Sequence, residues 1–303
     1  MQKRLSLAVA FLTAVLVFSA VAAAEDSIRV VHSLGEAVVK RFPEKIVVFD
    51  YAALDIMEFL GIEPTAVAKS SLPQYLERFK DAKYIDAGTL FEPNFERIFA
   101  LQPDVIFAST RQASVYDELA QIAPTVYFEI DTDDYWGSFA YNARLTAEIF
   151  GKEDEAEAEL AALAADAARV NALAGASGLR TLVLMANDGA LSAYGPGSRF
   201  GIVYSEFGFT PADHNLEAAT HGQNVSYEYL LQINPEAIFV IDRASTVGGS
   251  VTAEQVLDNV LVKAIDAARN GRIAYLTSQV WYTAAGGLKA TRIMIDDVMK
   301  VFE

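Results

Sequence analysis

Residues 101–111 read LQPDVIFASTR, and 231–243 read LQINPEAIFVIDR. Each stretch has Leu-Gln, then a proline and an acid, then an apolar run, then an arginine eight residues after the proline. Each is also preceded by a helix-like segment with a glutamate seven residues before that proline, Glu96 and Glu228. An apolar run without alternation fits a strand buried on both faces, which is the habit of parallel sheets. The repeat therefore predicts two structurally equivalent α/β halves.

Working outward, β-like and helix-like runs alternate through most of the chain, the pattern of an α/β protein with mainly parallel strands. IVVFD (46–50) leads into ALDIMEFLGI, and NFERIFALQ reads as a helix ahead of PDVIFAST. From about Trp136 to Ala174 the composition turns to Ala, Glu and Leu, without proline and, after Gly137 at its start, with one internal glycine, Gly151, which favours helix. Its acidic cluster EDEAEAE reads as a solvated helix face. The alternation then resumes, with AEQVLDNVLVKAIDAARN expected as one helix. The expected divisions are a leader at 1–24, an N-terminal lobe at 25–140, a connecting helix at 141–177 and a C-terminal lobe at 178–303.

The chain has 303 residues, 52% of them hydrophobic, with 40 acidic and 24 basic side chains and a net charge of −16. MQKRLSLAVAFLTAVLVFSAVAAA (1–24) starts with basic residues, continues apolar and ends in small residues with an A-x-A pattern, as a secretory signal peptide does. Its removal takes away Lys3 and Arg4 and no acid, moving −16 to −18. No later run reaches the roughly 20 apolar residues that a membrane span needs. There is no cysteine, which excludes disulfides, thiolate sites and a lipid anchor on an N-terminal cysteine. So acidic a chain also lacks the basic surface that nucleic acid requires. A soluble, monomeric protein of the periplasm is expected.

In parallel α/β sheets ligands collect beyond the carboxyl ends of the strands. Arg111 and Arg243 fall at two such ends. Either alone also suits a solvated strand end; as a matched pair they suit a cleft between the halves. Arg199 follows a third strand, in AYGPGSRFG, a turn in which backbone can approach a ligand. His221 lies in the loop ATHGQNVS, where an ordinary surface histidine is the plain alternative to a ligand. QVWYTAAGG (279–287) follows the last strand and carries Trp281 and Tyr282. Trp281 fits core packing as well as stacking on a ligand, and a phenolate is a hard donor of the kind ferric iron prefers. No nucleophile elbow, triad order or close histidine spacing points to an enzyme or a zinc site.

EKIVVFDYAALDIMEFLGI, PNFERIFALQPDVIFASTR, SAYGPGSRFGIVYSEFGF, HGQNVSYEYLLQINPEAIFVIDR and WYTAAGGL together resemble the substrate-binding proteins of ABC importers for iron siderophores, in the branch of the enterobactin and petrobactin receptors. The resemblance spans about Val30 to Phe302. It implies a class III periplasmic binding protein fold, two α/β lobes joined by one long helix, with no catalysis and no intrinsic cofactor. It further implies that Arg111, Arg199 and Arg243 surround a ferric catecholate complex. When the siderophore is tetradentate, His221 and Tyr282 would complete the Fe(III) coordination. Docking on the permease would use one glutamate per lobe, Glu96 and Glu206 by position. A ligand such as haem or cobalamin in the same fold is the alternative, which the arginine triad disfavours.

Overall fold

The computed structural model describes residues 27–219 and 221–303; the leader expected at 1–24 lies outside them. The strands are β1 (Ser27–His32), β2 (Gly35–Lys40), β3 (Ile46–Val48), β4 (Ala66–Val67), β5 (Ile85–Asp86), β6 (Val105–Ser109), β7 (Thr125–Phe128), β8 (Arg180–Asn187), β9 (Ala190–Tyr194), β10 (Thr210–Pro211), β11 (Gln223–Val225), β12 (Ala237–Asp242) and β13 (Ile273–Tyr275). The first two form an antiparallel hairpin. One lobe carries the parallel sheet β5-β4-β3-β6-β7. The other carries β11-β9-β8-β12-β13, in which β8, β12 and β13 run parallel and β9 runs antiparallel to both of its neighbours, β8 and β11, with β10 paired parallel to β8.

The repeated sequence builds the repeated structure residue by residue. Asn94 caps the helix Phe95–Leu101 by accepting from Arg97 N, and Ser226 caps Tyr227–Ile233 by accepting from Tyr229 N. Both helices stop on a left-handed residue, Gln102 at φ 49° and Asn234 at φ 46°, each followed by proline. The short polar side chain of Asn234 tolerates that conformation, and proline cannot continue either helix. The acid after each proline holds the start of the neighbouring strand. Asp104 accepts from the backbone N–H of Glu44 (2.9 Å) and Lys45 (2.8 Å), and Glu236 accepts from that of Arg180 (3.0 Å). A cation then caps each helix C-terminus: Lys45 Nζ reaches Leu101 O (3.1 Å), and Arg180 reaches Ile233 O and Asn234 O. β6 and all but the last residue of β12 are buried, as their unbroken apolar runs require.

The helical stretch between the lobes divides where one helix was expected. Tyr135–Phe150 ends at Gly151, and Glu153–Ser177 follows as the connecting helix. Gly151 has φ 64°, and a Cβ there would meet the Phe42 ring at 2.9 Å, so glycine is required twice over. Tyr135–Phe150 packs on the helix Tyr51–Phe59 of the first lobe, so that lobe extends beyond residue 140. The stretch 253–269 also divides, into Ala253–Leu257, Val260–Lys263 and Asp266–Arg269. The breaks are stabilised by caps from Asn259 and from the distant Asn234, whose Oδ1 accepts from Asp266 N. Nor is the acidic cluster of the connecting helix only a solvated face: Glu159, with Asp166, grips Arg292 of the C-terminal helix Leu288–Met299, and Glu157 pairs with Arg144.

Asp55 fixes the C-terminal helix to the first lobe. Its buried carboxylate accepts from Lys289 N and Ala290 N (both 2.9 Å), in the first turn of that helix, and from Tyr75 Oη (2.5 Å). Burial pushes this carboxyl up to about 6, with the charge of Glu58 acting the same way, against the hydrogen bonds that favour ionisation. A folded-state value above the unfolded one means that the folded form binds more protons between about pH 4 and 6, so this group's contribution to stability falls as pH rises through that window. Asp55→Asn removes the titration and one capping bond. Urea unfolding of this variant should show a loss of about 1 kcal/mol at pH 5 and a flatter pH dependence from 4 to 6 than the parent; parallel profiles would refute the assignment.

Candidate functional site

Four of the expected side chains converge between the lobes. Arg111 lies in the 3₁₀ turn Thr110–Val115 directly after β6, and Arg243 opens the short helix that directly follows β12. Ser109 and Gln112 close a capping box around the first turn, and Asp242 caps the second by accepting from Ser245 N. Arg199 sits in the turn after β9, and Tyr282 in a π-helical turn, Val280–Ala284, after β13.

All three arginines attach to Tyr282. Arg111 Nη2 donates to the Tyr282 carbonyl at 2.8 Å from across the lobe boundary, and Arg199 Nη2 donates to the same oxygen at 3.0 Å. Arg243 Nε donates to the phenol oxygen at 3.0 Å. The guanidinium carbons of Arg199 and Arg243 also stand 4.5 and 5.6 Å from the ring centroid. Among the described residues none of the three cations makes an ion pair with a carboxylate. Burial pushes the Arg199 guanidinium down, and the charge of Arg111 adds to that. Three partly buried, like-charged groups with no carboxylate at ion-pair distance are costly to assemble, since Asp50 and Asp188 act on Arg111 and Arg243 only from further away, and an anion between them lowers the cost.

The same charges act on the phenol. Burial raises the Tyr282 hydroxyl, but the hydrogen bond and charge of Arg243, with Arg199 and Arg111, outweigh it and hold the group below its ordinary value of 10. Phenolate, a hard anionic donor, is thereby made more accessible.

Of the two readings of Trp281, ligand stacking and core packing, the structure supports the second. The residue is 1% exposed, and its indole N–H donates to Asp297 Oδ2 at 2.9 Å, so the ring belongs to the core and not to a ligand surface. Consecutive residues on the turn point in different directions, and the polar neighbour takes the cleft. His221 is exposed, and its backbone carbonyl accepts from Tyr194 Oη at 3.0 Å. Gly222 beside it has φ 69°, and a Cβ there would lie 2.8 Å from the Tyr194 ring, which fixes where the loop turns. The imidazole itself stands apart from the hydrogen bonds that join the arginines to Tyr282.

Glu96 is exposed in the first turn of its helix. Glu206 differs: it is half-buried at the end of the short helix Ile202–Ser205, and burial, then the charge of Asp134, pushes its carboxyl up. The residue equivalent to Glu96 in cap, turn and spacing is Glu228, exposed in the first turn of Tyr227–Ile233. The repeat thus pairs Glu96 with Glu228, whereas Glu206 was the choice by position. Two site residues went unnoticed in the sequence. Asn187, which ends β8, accepts from Arg243 Nη1 at 2.9 Å, and Tyr194 ends β9. Their position at strand ends was the available signal.

The family described as periplasmic binding protein matches residues 46–280. The chain belongs to that family. Members of it are substrate-binding proteins rather than enzymes. The petrobactin-binding protein YclQ of Bacillus subtilis is 43% identical over 278 residues, 90% of this chain and 88% of its own. The ferric-anguibactin-binding protein FatB of Vibrio anguillarum is 31% identical over 92% of this chain and 88% of its own. The crystal structure of YclQ superposes with a TM-score of 0.89, covering 91% of this chain and 99% of that one. That of the periplasmic catecholate-siderophore binding protein VctP from Vibrio cholerae gives 0.86 at 36% identity, covering 90% and 99%. These periplasmic binding proteins share the two-lobed class III fold with the helical backbone seen here.

Arg243→Ala should move the Tyr282 phenol upward. Alkaline ultraviolet difference titration, with Tyr282→Phe as the subtraction control, reads this directly; an unchanged midpoint would show that the guanidinium does not act on the phenol.

Proposed function

We propose that the protein, exported to the periplasm, binds a ferric catecholate siderophore between its lobes and delivers it to an ABC permease for iron uptake. The observation that carries this reading is the group of three unpaired guanidiniums contributed by both lobes. A ferric tris-catecholate bears three negative charges, and guanidinium supplies both charge and planar donors to catecholate oxygens. Its similarity to YclQ, which binds petrobactin, to FatB, which binds ferric anguibactin, and to VctP, which binds a catecholate siderophore, supports this reading. Iron is cargo here, held by its chelator.

A chelator with two catechols leaves two iron positions open. Tyr282, with its lowered phenol, takes one, and the exposed His221 takes the other. Docking on the permease uses one exposed glutamate per lobe, Glu96 and Glu228, rather than the half-buried Glu206.

Quenching of intrinsic fluorescence by ferric catecholate complexes tests the ligand class. Arg111→Ala should weaken binding about 10- to 100-fold, the worth of a charged hydrogen bond, with little change in melting temperature. Equal affinity in parent and variant would refute the arginine assignment. His221→Ala and Tyr282→Phe should each alter circular dichroism in the iron charge-transfer band of a bis-catecholate complex, and unchanged spectra would exclude them as ligands.

A further inference from the structure

The internal repeat extends to residues that the ligand site does not use. On the helix Phe95–Leu101, Phe99 lies one turn beyond Glu96 and is 68% exposed; on Tyr227–Ile233, Leu231 lies one turn beyond Glu228 and is 41% exposed. Residues three apart share a helix face, so each lobe presents a carboxylate and a large apolar side chain side by side. A second exposed apolar residue stands close to each helix. Phe91, 63% exposed, comes three residues before the Asn94 cap, and Val260, 77% exposed, opens the short helix that packs on Tyr227–Ile233. Both helices lead to the strands that carry Arg111 and Arg243, so the two patches sit at matching places on the lobes.

The nearby cation does not neutralise the first patch, because Arg97 is spent on Asp86, donating to its carbonyl at 2.6 Å. Each patch is therefore an acid beside an unburied hydrophobe. Exposed clusters of this kind mark interaction sites. Two copies of this chain would bring like charges together, on proteins already at −16, which argues against self-association through this face. Two matching patches call for a partner with two matching acceptors, each basic and apolar together.

We propose that Phe99 and Leu231, aided by Phe91 and Val260, are apolar anchors that enter two equivalent sockets on the paired membrane subunits of the importer, while Glu96 and Glu228 steer the encounter. This rests on the docking reading given above and adds to it a division of labour. Charges at a rim govern association rate and salt dependence, whereas desolvated apolar anchors govern how long the complex lasts.

The test uses the full-length protein loaded with a ferric catecholate complex and the importer, permease with ATPase, reconstituted in nanodiscs. The readouts are the concentration of binding protein that half-stimulates ATP hydrolysis, its salt dependence and the dissociation rate. Phe99→Ser with Leu231→Ser should raise the half-stimulating concentration at least 10-fold through faster dissociation, leaving the salt dependence and the siderophore affinity unchanged. Glu96→Gln with Glu228→Gln should slow association and flatten the salt dependence. Val38→Ser, another exposed apolar position but on the β1–β2 hairpin, should change nothing. If the glutamine pair weakens coupling and the serine pair does not, the anchors are refuted and the docking reading stands. If neither pair has an effect, both fall. A serine pair that acts only through salt dependence would also overturn the division of labour.

Discussion

Three guanidinium groups meeting on one tyrosine, across the boundary of two lobes, set the terms for everything else in this structure. Like charges repel, and burial makes the repulsion worse. Arg111, Arg199 and Arg243 are held together because Tyr282 offers a carbonyl to two of them and a phenol to the third, with Arg111 and Arg243 set directly after strands and Arg199 in the turn after β9. The arrangement answers to an anion, and it leaves the phenol lowered as a by-product.

Holding such a cluster needs lobes that keep their relation to each other. The C-terminal helix provides this. Asp55 of the first lobe caps it, Arg292 ties it to the connecting helix, and Asp297, near its end, receives the Trp281 indole and so orients the turn that carries Tyr282. The backbone N–H of Gln74 also donates to Gln279 Oε1 across the boundary. The negative surface and the positive cleft are compatible because the acids pair with one another's cations outside it, as Glu159 and Asp166 do with Arg292.

Much of the scaffold was legible because its signals are short-range. The buried strands at 105–109 and 237–242, the Asn94 and Ser226 caps and the prolines after the left-handed exits are all encoded within a dozen residues. The repeat even pairs Glu96 with Glu228, although the resemblance by position had favoured Glu206. What escaped were breaks with tertiary causes. Gly151 is needed because the Phe42 ring lies against it, and Asp266 starts a new helix because Asn234, far earlier in the chain, caps it.

Two α/β units with arginines at corresponding strand ends can be read from local sequence, because strand burial, capping and turn chemistry depend on near neighbours. The sequence by itself also determined a net negative chain and the residue types of the site. Which of two adjacent aromatics faces the cleft depends on partners distant in sequence. Trp281 turned inward because Asp297 accepts its N–H, and Tyr282 turned outward to three arginines. The same tertiary packing lets Arg111 and Arg199 share the Tyr282 carbonyl, an acceptor 171 positions along the chain from Arg111, for which no local pattern exists.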